Sequence, residues 1–373
     1  MKRCKFPIVI ISGCFFLLTA CGNVQTGTQP ETWTTDPSTV STPAVSGRQE
    51  NAPVQTPDPS ATTELPLQKT EHTIKETKLI VPGYSTCFYV KNNARVIADD
   101  PHSIDTDQPA TSFILSGSKW EKKKTPFDTA RKNGKITSVS SVTQRPNGDY
   151  IFINGTNEIV RMSETGRIKY RVNSGQLFSK KRLLASMIYL GEGKAILQSQ
   201  DDFFDTHIYA RQDNSILHLD YVDLKNGKTE ISYPDGWRLC GATDKDSLFA
   251  EKEKKIAKIK TATGEFVRKY STEAIWSEGS QDTTTDEEEN FFHNYAITWS
   301  AFDGKLYAKH VGGIFELDEE TLCWKQLISP KDDFTMGPMY NNTFALLDKN
   351  KALLMAYRCD DESATDCCLY EWE

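Results

Sequence analysis

NGDYIFINGTNEIVRMSETGRIKYRV, residues 147–172, reads as three short strands separated by turns. YIFIN (Tyr150 to Asn154) follows the turn Asn147-Gly148-Asp149. EIVRMS (Glu158 to Ser163) runs into the turn Glu164-Thr165-Gly166, and RIKYRV comes next. β-Branched and aromatic side chains suit a pleated surface, while Gly, Asn and Asp accept the backbone angles of tight turns. The same grammar recurs down the chain. HLDYVDL (His218 to Leu224) meets Lys225-Asn226-Gly227 before TEISY, and KIAKIKT (Lys255 to Thr261) meets Ala262-Thr263-Gly264 before EFVRKYS. KLYAKHV follows Phe302-Asp303-Gly304, and GIFELD precedes LCWKQLI. Apolar and polar residues tend to alternate within these runs, as a strand with one covered face requires. Helix competes at Ala250 to Lys260, but the apolar stripe of Ile256, Ala257 and Ile259 is thin and strong turns flank it, so a hairpin is expected there.

The runs group into a coarser unit: strand, Gly/Asp/Asn turn, aromatic-rich strand, a strand ending in a short acidic-x-Gly turn, and a last strand rich in Lys or Arg. The unit fits residues 136–172, 183–233, 237–270, 295–328 and 335–372, and residues 78–130 hold a further copy. Such spacing, with loop insertions, is that of four-stranded propeller blades. The expected fold is therefore all-β, a single β-propeller of five or six four-stranded blades. A sandwich pair would show a mid-chain linker, and a β-solenoid is the other alternative. KLIVP (Lys78 to Pro82) and CLYEWE (Cys368 to Glu373) are expected to close the ring by sharing one blade.

The phrases DGKLY (Asp303 to Tyr307), GGIFELD (Gly312 to Asp318) and NGDYIFI (Asn147 to Ile153) resemble those of bacterial secreted propellers of the broad PQQ-like or WD40-like kind. The paired WD40 signatures and the regular tryptophans of PQQ enzymes are absent, so the resemblance implies no cofactor. The layout is also similar to the propeller half of some lipoproteins in which a propeller precedes a solute-binding domain for an ABC importer.

The N-terminus carries an address. Lys2, Arg3 and Lys5 precede an apolar stretch, Phe6 to Leu18, too short to span a bilayer as a finished helix. Leu18-Thr19-Ala20-Cys21 then resembles the bacterial lipobox, which implies cleavage before Cys21 and a lipid on its thiol. The expectation is a signal peptide over residues 1–20, a disordered Thr/Ser/Pro-rich stalk over 21–73 and a propeller domain over 74–373, held at the extracytoplasmic face of a bacterial cell membrane. Large aliphatic residues are scarce in the stalk, so it cannot bury enough apolar area to offset the entropy of ordering. Residues 1–20 hold three basic and no acidic side chains, so without them the formal net charge goes from −7 to −10. That balance is poorly matched to nucleic acid.

Chemistry is sparse. Nine cysteines are present, and Cys87, Cys240, Cys323, Cys359, Cys367 and Cys368 lie beyond the signal and the lipobox. They are too dispersed for a disulfide scaffold, although Cys359 could bridge Cys367 or Cys368 around a local loop. Their spacing is not that of zinc knuckles, so no metal site is expected. His207 near Asp201, Asp202 and Asp205, and the run Asp282 to Glu289, read as solvated acidic loops. Trp237, Trp276, Trp299 and Trp324 are expected between blades rather than on a ligand. Asn154-Gly155-Thr156 fits a glycosylation sequon that a bacterial lipoprotein would not use. No nucleophile elbow, phosphate loop or zinc-binding helix appears, so no catalytic residue is assigned. These features point to a binding module for a protein, peptide or glycan. An extracellular carbohydrate hydrolase or lyase and an accessory subunit of a solute importer are the alternatives.

Overall fold

Antiparallel hairpins follow one another through the computed structural model, which describes residues 61–82, 86–90, 95–99, 112–117, 119–137, 139–155, 157–180, 182–201, 216–279, 297–310, 312–329, 342–357 and 364–373. The first strands are β1 (Thr62–Thr63), β2 (Leu67–Lys69) and β3 (Ile74–Pro82). Blade 1 comprises β4 (Thr86–Val90), β5 (Arg95–Asp99), β6 (Ser112–Ser116) and β7 (Lys119–Lys122). Helix α1 (Pro126–Lys132) leads to blade 2, with β8 (Val139–Gln144), β9 (Tyr150–Asn154), β10 (Glu158–Met162) and β11 (Ile168–Asn173). After α2 (Ser174–Leu177), blade 3 comprises β12 (Arg182–Gly191), β13 (Lys194–Asp201), β14 (Leu217–Asp223) and β15 (Lys228–Ser232). Blade 4 is β16 (Arg238–Ala242), β17 (Ser247–Lys252), β18 (Lys255–Lys260) and β19 (Phe266–Ser271). Helix α3 (Glu273–Gly279) precedes blade 5, with β20 (Thr298–Phe302), β21 (Lys305–His310), β22 (Gly313–Asp318) and β23 (Cys323–Ile328). Blade 6 takes β24 (Asn342–Asp348), β25 (Lys351–Tyr357) and β26 (Ala364–Trp372) from the C-terminal end and β3 from the N-terminal end.

Six sheets result, and their first strands touch in order around a ring, with β24 of blade 6 against β4 of blade 1. The fold is thus a six-bladed β-propeller. The expected closure is present: β26 pairs antiparallel with β3 from Ala364 opposite Pro82 to Trp372 opposite Ile74. The expected hairpin at 250–260 is also present, with Lys252 opposite Lys255.

The core is distributed over the blade interfaces, and each seam between neighbours has its own buried cluster. Phe127, Phe152 and Ile114 fill the seam between blades 1 and 2, while Ile153, Leu197 and Leu184 fill that between 2 and 3. Leu239, Leu248 and Trp237 pack between blades 3 and 4, and Phe249, Trp299 and Trp324 between 4 and 5. Phe344, Tyr307 and Trp372 lie between 5 and 6; Leu369, Leu353 and Phe113 lie between 6 and 1. Middle strands are therefore buried on both faces, and all five residues of β9 are buried. Alternation survives at outer strands such as β15.

Side chains also cross the seams to backbone. The Met187 amide donates to Ser141 Oγ at 3.1 Å, Leu239 to Gln198 Oε1 at 2.7 Å and Leu346 to Ser300 Oγ at 3.4 Å. Each link satisfies an innermost-strand amide from the preceding blade, where no further strand follows on the channel side. Gly241 shows how closely these strands approach. A Cβ there would lie 2.8 Å from that of Ala301.

Strand structure begins earlier than the sequence suggested. Residues 1–60 lie outside the described residues, but residues 61–73, expected as stalk, already include β1 and β2. Two leucines explain the difference: Leu65 is buried in the seam between blades 4 and 5, and Leu67 packs against it. Composition averaged over some fifty residues hid two apolar anchors.

Closure should dominate stability. Leu369→Ala removes a buried side chain facing Leu353 and Leu79 and is expected to cost about 3 kcal/mol in urea titrations. Glu371→Ala on the same strand breaks half-exposed pairs to Lys75 and Lys351 and should cost about 1 kcal/mol or less.

Candidate functional site

A four-stranded meander gives the propeller two unlike faces. Connections from first to second and from third to fourth strands leave on one side, and they span two to five residues. Asp303-Gly304 is typical, with φ of 48° and 78°, the positive angles that a two-residue hairpin turn needs. Connections from second to third strands, and from blade to blade, leave on the opposite side. The strand ends on this side are joined by longer stretches of sequence, 100–111, 202–216, 272–297 and 329–341, largely outside the described residues, and the three helices among the described residues belong to this side. Loops displayed by a rigid scaffold are where binding residues concentrate.

On this face, at blade 3, an ionisable cluster forms at the ends of the strands. His218, the second residue of β14, lies between two carboxylates, with Nδ1 at 2.8 Å from Asp235 Oδ1 and Nε2 at 3.1 Å from Asp201 Oδ1. With hydrogens on both nitrogens it donates to both. Behind it Asp220 is 1% exposed, accepts from Arg182 Nη1 at 2.9 Å and from Ser232 Oγ at 2.5 Å, and is held above the usual carboxylate range by burial. Arg182 also lies over the Phe178 ring at 4.9 Å. Asn157 supports the arrangement. It adopts φ 63°, donates to the Arg182 carbonyl and accepts from the Leu184 amide.

A second cluster lies at the end of β21 in blade 5. Lys309 is 3% exposed and has no ion-pair partner among the described residues, and burial pulls its ammonium group down to about 8. His310, also buried, is pulled down to about 4, first by burial and then by the charge of Lys309. Its ring meets Trp276 edge-on at 4.9 Å, beside the backbone of Ile275. Neither ring nitrogen, nor Trp276 Nε1, has a described partner in good hydrogen-bond geometry.

The buried carboxylates elsewhere among the described residues are tied to basic groups. Asp149 pairs with Arg161 and Lys169, Asp223 with Lys194, and Glu316 with Lys305. Glu251 accepts from Arg238 and from Trp299 Nε1. These groups brace blades; Arg238 also donates to the Ile297 carbonyl across the seam between blades 4 and 5.

Of the residues singled out in the sequence, Cys21, Asp202, Asp205, His207, the run 282–289 and Cys359 lie outside the described residues. Asp201 is described, and its partner is His218. Trp237, Trp299 and Trp324 occupy seams as expected, and Trp276 packs against the seam between blades 4 and 5 from α3. Cys367 is buried on β26, and Cys240, Cys323 and Cys368 carry free thiols. Burial raises the Cys368 thiol above its ordinary range. Cys87 lies on β4 opposite Ala98. Asn154 of the sequon is 1% exposed and accepts from the Thr137 amide at 2.9 Å, which makes it a structural side chain.

His218, Lys309 and His310 were not among the sequence candidates. His218 stands 17 residues from each carboxylate, a separation that a hairpin and a blade-to-blade turn close. In KLYAKHV, alternation reads Lys309 as solvent-facing, but β21 is a middle strand covered on both faces.

No family model matches the chain, and no curated protein matches it. Lys309 carries a sign-definite prediction. Its folded pKa lies below its ordinary value of 10.5, so between about 8 and 10.5 the unfolded chain holds more protons and stability rises with pH. Lys309→Met is expected to abolish that rise and to stabilise the protein at pH 7 by a few kcal/mol. Urea midpoints at pH 7 and pH 10 check it. Conversely, stability should fall as pH drops from 6.5 toward 4 through His310, and His310→Leu should lessen that loss. Among solved structures, the chain is similar to a crystallised protein of unknown function from Dyadobacter fermentans DSM 18053, at 11% identity over 80% of this chain and 99% of that one, with a TM-score of 0.46, a likeness too slight to carry an argument.

Proposed function

We propose that the chain is a lipid-anchored extracytoplasmic binding module whose loop-bearing face engages a protein, peptide or glycan. The observation that carries this reading is the asymmetry of the propeller, with long connections, helices and the Asp201–His218–Asp235 cluster on one face and short turns on the other. The pairing of buried Asp149, Asp220, Asp223, Glu251 and Glu316 with basic side chains supports binding over acid-base catalysis, because these groups are committed to bracing blades. The anchor rests on the sequence, in which Lys2, Arg3 and Lys5, an apolar run and Leu18-Thr19-Ala20-Cys21 stand in lipoprotein order.

Two measurements test the reading. Expressed in a bacterial host, the chain is expected to label with palmitate and to sediment with membranes, and Cys21→Ser should lose both properties. Labelling of the Cys21→Ser protein would overturn the anchor. The intact chain should retain a partner from envelope extract or a glycan array, and Asp201→Ala with Asp235→Ala should lower that retention at least tenfold without shifting the thermal midpoint by more than a few degrees. No retention by the intact chain, or retention indifferent to the double substitution, would overturn the assignment to this face.

A further inference from the structure

Residues 61–70 are bound to the propeller in the manner of a peptide ligand. Blades 4 and 5 are complete with four strands each, and the N-terminal segment adds a fifth strand to both. β1 lies parallel to β19, with Thr62 opposite Lys269 and Thr63 opposite Tyr270. β2 lies parallel to β23, with Leu67 opposite Trp324, Gln68 opposite Lys325 and Lys69 opposite Gln326. Between them Leu65, 4% exposed, enters the seam that holds Tyr270 and Trp324. Pro66 sits at the crossing, where it has no amide to satisfy, and its carbonyl accepts from the Trp324 amide at 2.9 Å. The Thr70 amide closes the run by donating to the Gln326 carbonyl at 3.3 Å. Main-chain pairing gives such a site its affinity and alternate side-chain pockets its selectivity.

We infer that the rim between blades 4 and 5 is a strand-addition groove for an extended segment with leucines two residues apart, closed in cis by residues 61–70 and open in trans to the same segment of a second copy. The contact is separable from the blades. Leu65, the flanking Leu67, a few parallel hydrogen bonds, the exposed Lys69–Glu278 pair and a Gln68–Cys323 contact hold it, and residues 71–73 link it to the closing strand β3. Exchange between copies reproduces every contact of the cis arrangement, so its balance is set by the effective concentration of the tethered segment, of millimolar order, against that of the neighbour. The groove lies at outer-strand edges, and its test stands apart from the proposal for the loop-bearing face.

A labelled peptide of residues 60–71 reads the groove directly. Against the full chain carrying Leu65→Ser and Leu67→Ser, fluorescence anisotropy should show saturable binding at least about tenfold tighter than against the wild-type full chain. The peptide with both leucines changed to serine should bind neither. No saturable binding to a variant with a native circular-dichroism spectrum, or equal binding to both chains, would overturn the groove. Should that variant not fold, hydrogen exchange on the wild type decides: the amides of residues 62–65, 67–70 and Trp324 should exchange at least about a hundredfold faster than those of β18 and β22. Exchange at the rate of those strands would overturn a separable segment. The second copy is tested by mixing full chains carrying Thr62→Cys with full chains carrying Lys269→Cys under oxidation. A cross-linked pair that increases with concentration supports exchange, and its absence at every concentration overturns it.

Discussion

Nine residues of β26 pair with nine of β3, and the ring exists while they do. The partners stand almost the whole domain apart, with Cys368 touching Glu76 across 292 positions. Bringing such distant segments together costs of order 5 kcal/mol on a logarithmic loop-closure scale. Leu79, Leu369, Tyr370 and Trp372 are buried at or beside the join, and at roughly 2 kcal/mol for each large apolar side chain that burial offsets the cost. Without the join, blade 6 would lose its outer strand, and the seam between blades 6 and 1 would lose Leu79.

Once the ring is closed, two backbone edges per blade need attention, and the protein treats them differently. At the inner edge, side chains of the preceding blade supply acceptors, as Ser141, Gln198 and Ser300 do. At the outer edge, blades 2 and 3 carry charge: Lys169 and Arg171 on β11, Lys228 and Glu230 on β15. Charged edge strands resist further pairing. Blades 4 and 5 are instead covered by the chain's own leading segment. The seam it enters is rich in large aromatics, with Trp299 and Trp324 at 6.2 Å between ring centroids, so a gap there would expose more apolar surface than at a seam lined by small residues.

The blade pattern was legible because turns are local chemistry. Asn-Gly, Asp-Gly and Thr-Gly pairs announce hairpins through their own backbone preferences, and those marks fall where strands end in blades 2 to 5. The closing strands were legible because propellers often join strands from both chain ends in one blade and apolar runs stand near both ends of the domain. The start of the domain was not, because β1 and β2 contribute five residues in all, and their identity as strands comes from β19 and β23. Burial was legible only in part. Period-two alternation reports one covered face, and a middle blade strand has two. The site suffered most from this. Asp201 was visible beside an acidic loop, but its partner His218 is assembled by topology, and the buried pair Lys309 and His310 wears the pattern of a surface strand.

That mismatch at Lys309 is a cost that the sequence pattern conceals. A lysine buried without a described counter-ion is a standing cost to the fold, and a chain under selection for stability alone would hold methionine or leucine there. The cost lies at the end of β21, one residue from His310, whose ring meets Trp276 edge-on beside the Ile275 backbone, and neither ring nitrogen nor Trp276 Nε1 has a partner in good hydrogen-bond geometry among the described residues. Lys309 and His310 are each 3% exposed, so this polarity lies inside the fold. The Asp201–His218–Asp235 cluster on blade 3 has the opposite character, with more carboxylates than cations. Asp235 leaves the blade 3 cluster open to solvent, whereas Lys309 and His310 are sealed in, so the blade 5 pair acts on stability rather than on a surface.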